Sequence, residues 1–228
     1  MKSRGFSLLL GAMISLALLL AAILVPMGNE GLFRRGLTQW VDREALGVTE
    51  EELAAFSEET MAYLTGKQET WAPAIPREGI PEGFSTHMAK VRAAFLLARK
   101  GMIALALFSV LLLNVLLLKG QPHPGAFWLG AGIPAGLTLL VAAFALMDFD
   151  RFWYLLHRVL IPDGIFPAGE PIMQLFPEAL FASYLQPVGL MLLAGAVLLG
   201  LISGWLRRDG KNTVAASREI PTNFNQLQ

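Results

Sequence analysis

Two histidines, His87 and His157, are the side chains in this sequence best suited to moving protons near neutral pH, because an imidazole titrates close to that range. His87 follows Ser85 and Thr86 at the expected start of a helix, where the positive dipole end favours the neutral imidazole that can accept a proton. His157 shares a helical face with Asp150, Trp153 and Tyr154, so a polar and aromatic stripe surrounds it. Asp150 lies about two turns away, too far to orient His157 directly along one straight helix. Asp148, Asp150, Arg151, Tyr154, Arg158 and Glu178 form a second rank that could orient the imidazoles or hold polar groups of a substrate. Helix capping and ion pairing account for them nearly as well. His123, between Pro122 and Pro124, is most simply a turn residue.

Other chemistries find less support. The chain has no cysteine, which excludes disulfides, thiolate metal sites and a cysteine acyl-enzyme together. No Gly-x-Ser-x-Gly elbow occurs, and Ser85, two residues before His87, points to a different helix face, which argues against a serine hydrolase. Asp148, Asp150, His87 and His157 could ligate a metal in principle, but no helical His-x-x-x-His pair supports it and no metal site is assigned. The plain alternative for both histidines is that of interfacial polar residues satisfied by their neighbours.

Two histidines in distant segments can cooperate only if the elements between them bring them together. The chain is 54% hydrophobic with a mean hydropathy of +0.53, and its charge is segregated. Four stretches nearly free of charge, approximately Phe6 to Pro26, Gly101 to Leu118, Ala126 to Met147 and Tyr184 to Leu206, are each long enough to cross a hydrocarbon core of roughly 30 Å as a helix. The expected fold is an all-α integral membrane protein with four transmembrane helices and an extracytoplasmic, mainly helical and loop cap. The first span is about 20 apolar residues long with no clean small-x-small site before Pro26, so it is expected to stay as an anchor rather than be removed as a signal peptide.

Lys2 and Arg4, Lys119, and Arg207, Arg208 and Lys211 fall on one side of a four-span chain, and that side is expected to be cytoplasmic. The expected organisation is therefore a first span at 1–26 with a cytoplasmic N-terminus, and an extracytoplasmic insertion with an interfacial helix at 27–100. A hairpin of spans two and three follows at 101–147, a second extracytoplasmic insertion at 148–183, a fourth span at 184–206, and a cytoplasmic tail at 207–228. In the first insertion Thr49 and Glu52 match a capping box ahead of a stripe of Leu53, Phe56, Thr60 and Leu64. Ser85 or Thr86 is expected to cap a second helix that bends into span two. Asp148 is expected to cap a helix bearing Phe149, Phe152, Trp153, Leu156 and Leu160, stopped by Pro162, Asp163 and Gly164. Pro177 and Glu178 suit the first turn of a short helix leading to span four. Trp153, Tyr154 and Tyr184 fit one aromatic belt, with Trp128 and Trp205 on the opposite side. Gly132 with Gly136 and Gly200 with Gly204 are GxxxG pairs that permit close helix packing. The tail from Asp209 is polar, aperiodic and expected to be disordered.

The segment from Asp148 to Arg158, Asp-Phe-Asp-Arg-Phe-Trp-Tyr-Leu-Leu-His-Arg, and the segment Leu175-Phe-Pro-Glu-Ala-Leu-Phe181 resemble the signature of the bacterial lipoprotein intramolecular transacylase family, Lit. Met61-Ala-Tyr-Leu-Thr-Gly and His87-Met-Ala-Lys-Val-Arg92 resemble the same family in the same order. The chain differs from the pattern at Lys90, where an acid is common, and at Asp163-Gly-Ile. The resemblance covers most of the region from Met1 to Leu206, and its most specific part is the His87 and His157 motifs.

The resemblance implies a substrate and a reaction. A lipoprotein whose N-terminal cysteine carries a diacylglyceryl thioether would have its sn-2 acyl chain moved to the α-amine of that cysteine, giving a lyso-form lipoprotein. Ester and amine sit on one molecule, so effective molarity supplies much of the rate and no covalent acyl-enzyme is needed. The amine has a free pKa of about 8, so a base must take a proton from it. One histidine is expected to do this, while the other stabilises the oxyanion or protonates the departing glyceryl oxygen. No cofactor is expected, and the partners are the lipoprotein and membrane lipid rather than nucleic acid. The expected location is the bacterial cytoplasmic membrane, with the active site on the extracytoplasmic face. The rival readings are a non-enzymatic membrane scaffold and a metal-dependent lipid hydrolase.

Overall fold

The computed structural model describes residues 2–76, 80–119, 123–161, 166 and 169–218, with backbone alone at 2, 82 and 209–218. Pro122, the expected stop at Pro162, Asp163 and Gly164, and the last ten residues of the chain lie outside the described residues. Every regular element within them is an α-helix: α1 (Lys2–Met27), α2 (Glu30–Trp40), α3 (Arg43–Leu46), α4 (Glu50–Thr65), α5 (Glu82–Leu118), α6 (Pro124–Met147), α7 (Phe149–Leu160), α8 (Pro171–Leu175), α9 (Glu178–Ala182) and α10 (Leu185–Arg218). Four of them, α1, α5, α6 and α10, are long and apolar enough to cross a membrane. The charged residues Lys90, Arg92, Arg99 and Lys100 leave the apolar crossing of α5 to begin at Gly101. Side chains such as Leu107, Leu111, Leu139 and Leu140 are more than 60% exposed. In water such a surface would drive aggregation, whereas against acyl chains it needs no cover.

Helix α1 is the centre of the bundle and packs against α6, α5 and α10. Its approach to α6 is the closest, because Gly11 faces the Phe127 carbonyl and Gly130 faces the Leu8 carbonyl with no side chain between the two backbones. Leu10, Leu116, Phe127, Ala131, Leu199 and Leu206 fill the remaining space. The expected GxxxG pairs have no such role within this chain, since a Cβ at Gly132, Gly136, Gly200 or Gly204 would meet open space. At the same end, His123 caps the start of α6: its N–H donates to Ser7 Oγ at 3.0 Å, and its Nε2 is 3.0 Å from Ser3 Oγ.

The two insertions fold together over the other end of the bundle. Their common core joins Phe33, Leu37, Leu53, Phe56 and Met61 to Phe84 and Met88, and then to Ile172, Leu175, Phe176 and Leu180. Each fully buried side chain of this size contributes about 1.5–3 kcal/mol. Trp71 sits between Phe56, Tyr63, Phe84 and Phe176, with ring centroids 5.8–6.5 Å away, and its indole N–H donates to Thr60 Oγ1 at 3.1 Å.

Local signals explain the helix ends. Thr49 and Glu52 form the reciprocal capping box of α4, with distances of 3.1 and 2.8 Å. Gly66, in the left-handed region at φ 82°, ends that helix. Arg92 then braces its C-terminus: Nε donates to the Tyr63 carbonyl at 2.9 Å, Nη2 to the Gln68 carbonyl at 3.2 Å, and the guanidinium lies 5.0 Å from the Tyr63 ring centre. Arg99 adds a bond to the Thr65 carbonyl. A cation at the negative end of a helix satisfies carbonyls that the helix itself leaves open.

Some expectations are corrected. Helix α5 starts at Glu82 after Pro81 and runs unbroken to Leu118, so Ser85 and Thr86 lie in its first turn and cap nothing; the Pro81 carbonyl takes the N–H of Phe84 and Ser85 instead. Helix α10 continues past Leu206 to Arg218, through part of the segment expected to be disordered. Tyr184 is buried in the cap core rather than facing a lipid belt, while Tyr154, Trp128 and Trp205 are exposed.

Candidate active site

His87 and His157 meet. Helix α5 carries His87 inward from its second turn, beside the core residues Phe84 and Met88, and leaves it 8% exposed. Helix α7, started by Asp148 Oδ1 accepting the Arg151 N–H at 3.0 Å, brings His157 against it near its own last turn. The two imidazole centroids are 5.8 Å apart, with ring planes 23° from parallel. Phe84 at 5.7 Å and Phe166 at 5.5 Å wall the His87 ring, and Trp153 closes edge-on to His157 at 4.5 Å.

Each ring has a defined hydrogen-bonding state. His157 Nδ1 lies 3.0 Å from the Trp153 carbonyl oxygen. A carbonyl can only accept, so Nδ1 carries the proton in the neutral ring and Nε2 keeps its lone pair. His87 Nδ1 is buried with no partner among the described residues. Burial first, then the charges of His157 and Lys90, pull the His87 imidazole down from 6.5 to about 4. Burial, rather than the expected helix dipole, is the main cause that favours the neutral form at this position. Acid should therefore weaken the fold. The unfolded chain takes this proton near pH 6.5 and the folded chain only near pH 4, so stability is complete above the upper value and falls by up to about 3 kcal/mol through that window. Denaturation at pH 7 and pH 4.5 should show a smaller acid loss in His87→Gln than in the unaltered protein.

The second-rank residues divide. Asp148 caps α7 and is exposed, as are Asp150, Arg151, Tyr154 and Arg158. Among the described residues no acid pairs with Arg151 or Arg158 within 4 Å, so the expected ion pairs there are not formed. Glu178, at the start of α9, instead faces Asp150 across a carboxyl–carboxyl hydrogen bond. That bond, then partial burial and the charges of Asp150 and Asp148, raise Glu178 to about 7. Among the described residues no three His, Asp or Glu side chains converge as a metal site. The shared face of Trp153 and His157 is borne out, whereas the walls Phe84 and Phe166 were missed: Phe84 lies one turn before His87, a spacing that was available, and Phe166 comes from a distant segment.

The sequence profile of the lipoprotein intramolecular transacylase Lit family matches residues 8–181, most of the chain and both histidines. The chain belongs to the Lit family. It is accordingly a membrane-integral acyltransferase, a lipoprotein intramolecular transacylase by family. The Lit fold is shared in full: the membrane-integral Lit from Bacillus cereus superposes with a TM-score of 0.77 at 16% identity, covering 92% of this chain and 98% of that one. Two variants of that protein, with a histidine replaced by arginine or by alanine, each superpose with a TM-score of 0.74 at 17% identity. They cover 93% and 92% of this chain and 95% and 96% of theirs. No protein of curated function matches the chain. The Lit resemblance in the His87 and His157 motifs thus falls on side chains that the fold places ring to ring.

Proposed function

We propose that His87 and His157 act as a pair in transferring the sn-2 acyl chain of a diacylglyceryl-modified lipoprotein to the α-amine of its own N-terminal cysteine. The observation that carries this reading is the pairing of the two facing rings: one has its Nδ1–H committed to a carbonyl, and the other is buried with an Nδ1 that has no partner among the described residues. The amine attacks the ester carbonyl in its free-base form, and His157 Nε2 takes one of its two protons as the N–C bond forms. The oxyanion that develops is met by an N–H from His87, which remains a neutral donor because its ring resists protonation. Collapse of the tetrahedral centre breaks the bond to the sn-2 glyceryl oxygen, and that oxygen receives the proton held on His157. One N–C bond forms, one C–O bond breaks, and both imidazoles return to their starting states. Amide replaces ester, so no activated acyl carrier enters the balance.

The setting favours such a step. An amine with a pKa of about 8 is mainly protonated in neutral water, and a base within hydrogen-bond reach offsets that. The aromatic walls exclude water from the reacting centre, which strengthens the hydrogen bond to the oxyanion. Basic residues Arg4, Lys119, Arg207 and Arg208 cluster at the opposite end of the bundle and support an extracytoplasmic position for the pair.

Mass spectrometry of a purified diacylglyceryl lipopeptide, incubated with the protein in detergent, tests the reading. The total mass should stay constant while fragmentation places one acyl group on the cysteine nitrogen, with no fatty acid released and no effect of a chelator. A free α-amine in both treated and untreated samples, or release of fatty acid, rejects it.

A further inference from the structure

The segment Leu175–Phe181 also resembles the family, yet none of its side chains touches either imidazole directly among the ring contacts of the site. Its placement suggests a different task. Helix α7, which carries His157, buries no side chain of its own among the described residues, and its main backbone neighbour is α6, which runs into it through Asp148. Its remaining hold on the cap runs through rings. Trp153 is stacked on Phe181 of α9 at 4.4 Å and on Phe149 at 5.7 Å. Phe181 in turn stacks on Phe176 at 6.3 Å, and Phe176 meets Phe56 at 5.5 Å in the buried core. The carboxyl pair Asp150 and Glu178 ties the same two helices a second time.

Trp153 touches His157 twice. Its carbonyl accepts the Nδ1 proton, and its indole stands against the imidazole edge at 4.5 Å. We infer that Phe181, acting through Trp153, is a positioning residue that fixes the rotamer and the Nδ1–H tautomer of His157, so that Nε2 stays available to the substrate amine. The inference rests on the reading of His157 as the base. The stack contributes a flat face rather than bulk: an aliphatic side chain of similar volume would fill the space beside Trp153 without setting the angle of its indole.

Phe181→Leu, with Phe181→Tyr as the conservative variant, separates these roles. Turnover of a diacylglyceryl lipopeptide should fall about tenfold to a hundredfold in Phe181→Leu, as a misplacement on the order of 1 Å can cause, with KM unchanged. Phe181→Tyr should restore it. Nitrogen NMR of 15N-histidine-labelled protein gives the decisive readout, because the chain has only three histidines and each can be assigned by removal. His157 should show a protonated Nδ1 in the unaltered protein and in Phe181→Tyr, and a mixture of tautomers in Phe181→Leu. Phe149→Leu, at a half-exposed ring on the same indole, supplies the same readout should Phe181→Leu not fold. Normal turnover in a folded Phe181→Leu protein, or reduced turnover with an unchanged His157 tautomer, overturns the inference. If His157→Gln itself retains full turnover, the base assignment fails first; if His157→Gln is inactive and Phe181→Leu is normal, only the positioning role is lost.

Discussion

Replacing His157 by glutamine is expected to slow acyl transfer by about 10²–10⁴-fold, the usual contribution of a positioned general base. Glutamine has similar length, and at this half-exposed position on α7 it disturbs neither the cap at Asp148 nor the packing of α6, so the folded fraction should not change. What it lacks is a basic nitrogen. The defect should therefore depend on pH in a particular direction. Near pH 7 most of the substrate amine, with a pKa of about 8, carries an extra proton that must leave to solvent or to a neighbouring imidazole before nitrogen can attack. Near pH 9.5 most of the amine is already free, and the ratio of unaltered to variant rates should shrink. His87→Leu should behave differently, because leucine has no N–H to offer in place of the imidazole. Loss of an oxyanion donor costs about 10²–10³-fold, and alkaline solution offers no substitute for it, so its defect should persist across the same range. Rates from quantified N-acyl and O-acyl lipopeptide at several pH values distinguish the two. Equal defects with no pH trend in either variant would remove the division of labour, and turnover at the unaltered rate in His157→Gln would remove the base.

The contrast between these variants comes from geometry that a linear sequence shows only in part. The four spans were legible because lipid demands long uncharged runs, and the starts of α4 and α7 were legible because Thr49, Glu52 and Asp148 are local caps whose partners lie three residues on. Helices α2 and α8 were not read. Asn29 does cap α2, accepting the Leu32 N–H, but its buried stripe of Phe33, Gly36 and Leu37 is short, and α8 is a single turn after Pro171. The facing of His87 and His157 depends on α5 and α7 converging across a cap core that only folding assembles. For the same reason, Trp153 was assigned to a lipid belt as well as to the His157 face, and Phe84 and Phe166 were not read as walls. An aromatic residue near the end of a span fits a membrane belt and a buried stack equally well until a partner such as Phe181 is placed against it. His87 shows how a correct outcome can have a different cause: its neutral state follows from burial among Phe84, Met88 and Phe166, contacts that lie far apart in the chain or turn inward only in the fold.

Close packing between spans was likewise invisible to motif reading, and its disruption carries the second large effect. Gly130→Val is expected to destabilise the protein by about 3 kcal/mol or more. A side chain at Gly130 would overlap the Leu8 carbonyl, and one at Gly11 would overlap the Phe127 carbonyl, so relief must come from moving one backbone against another rather than from turning a flexible side chain. Overpacking typically costs about 1–3 kcal/mol, and a contact in which neither side can yield belongs at or beyond the upper end. Between spans the loss is not offset by a hydrophobic effect, because helices in lipid associate through van der Waals fit and lose it when they separate. Gly132→Ala is the internal control. Its Cβ would meet open space, and alanine favours a helix over glycine by about 1 kcal/mol, so its thermal midpoint in detergent should equal or exceed that of the unaltered protein. The damage at Gly130 should also reach the site. Helix α6 passes directly into Asp148 and α7, and α6 is the main support of α7, so a shifted α6 carries His157 away from His87. Gly130→Val should lose acyl transfer even at temperatures where it remains folded. A Gly130→Val protein with an unchanged midpoint and unchanged turnover would mean that α1 and α6 do not cross backbone to backbone at this point.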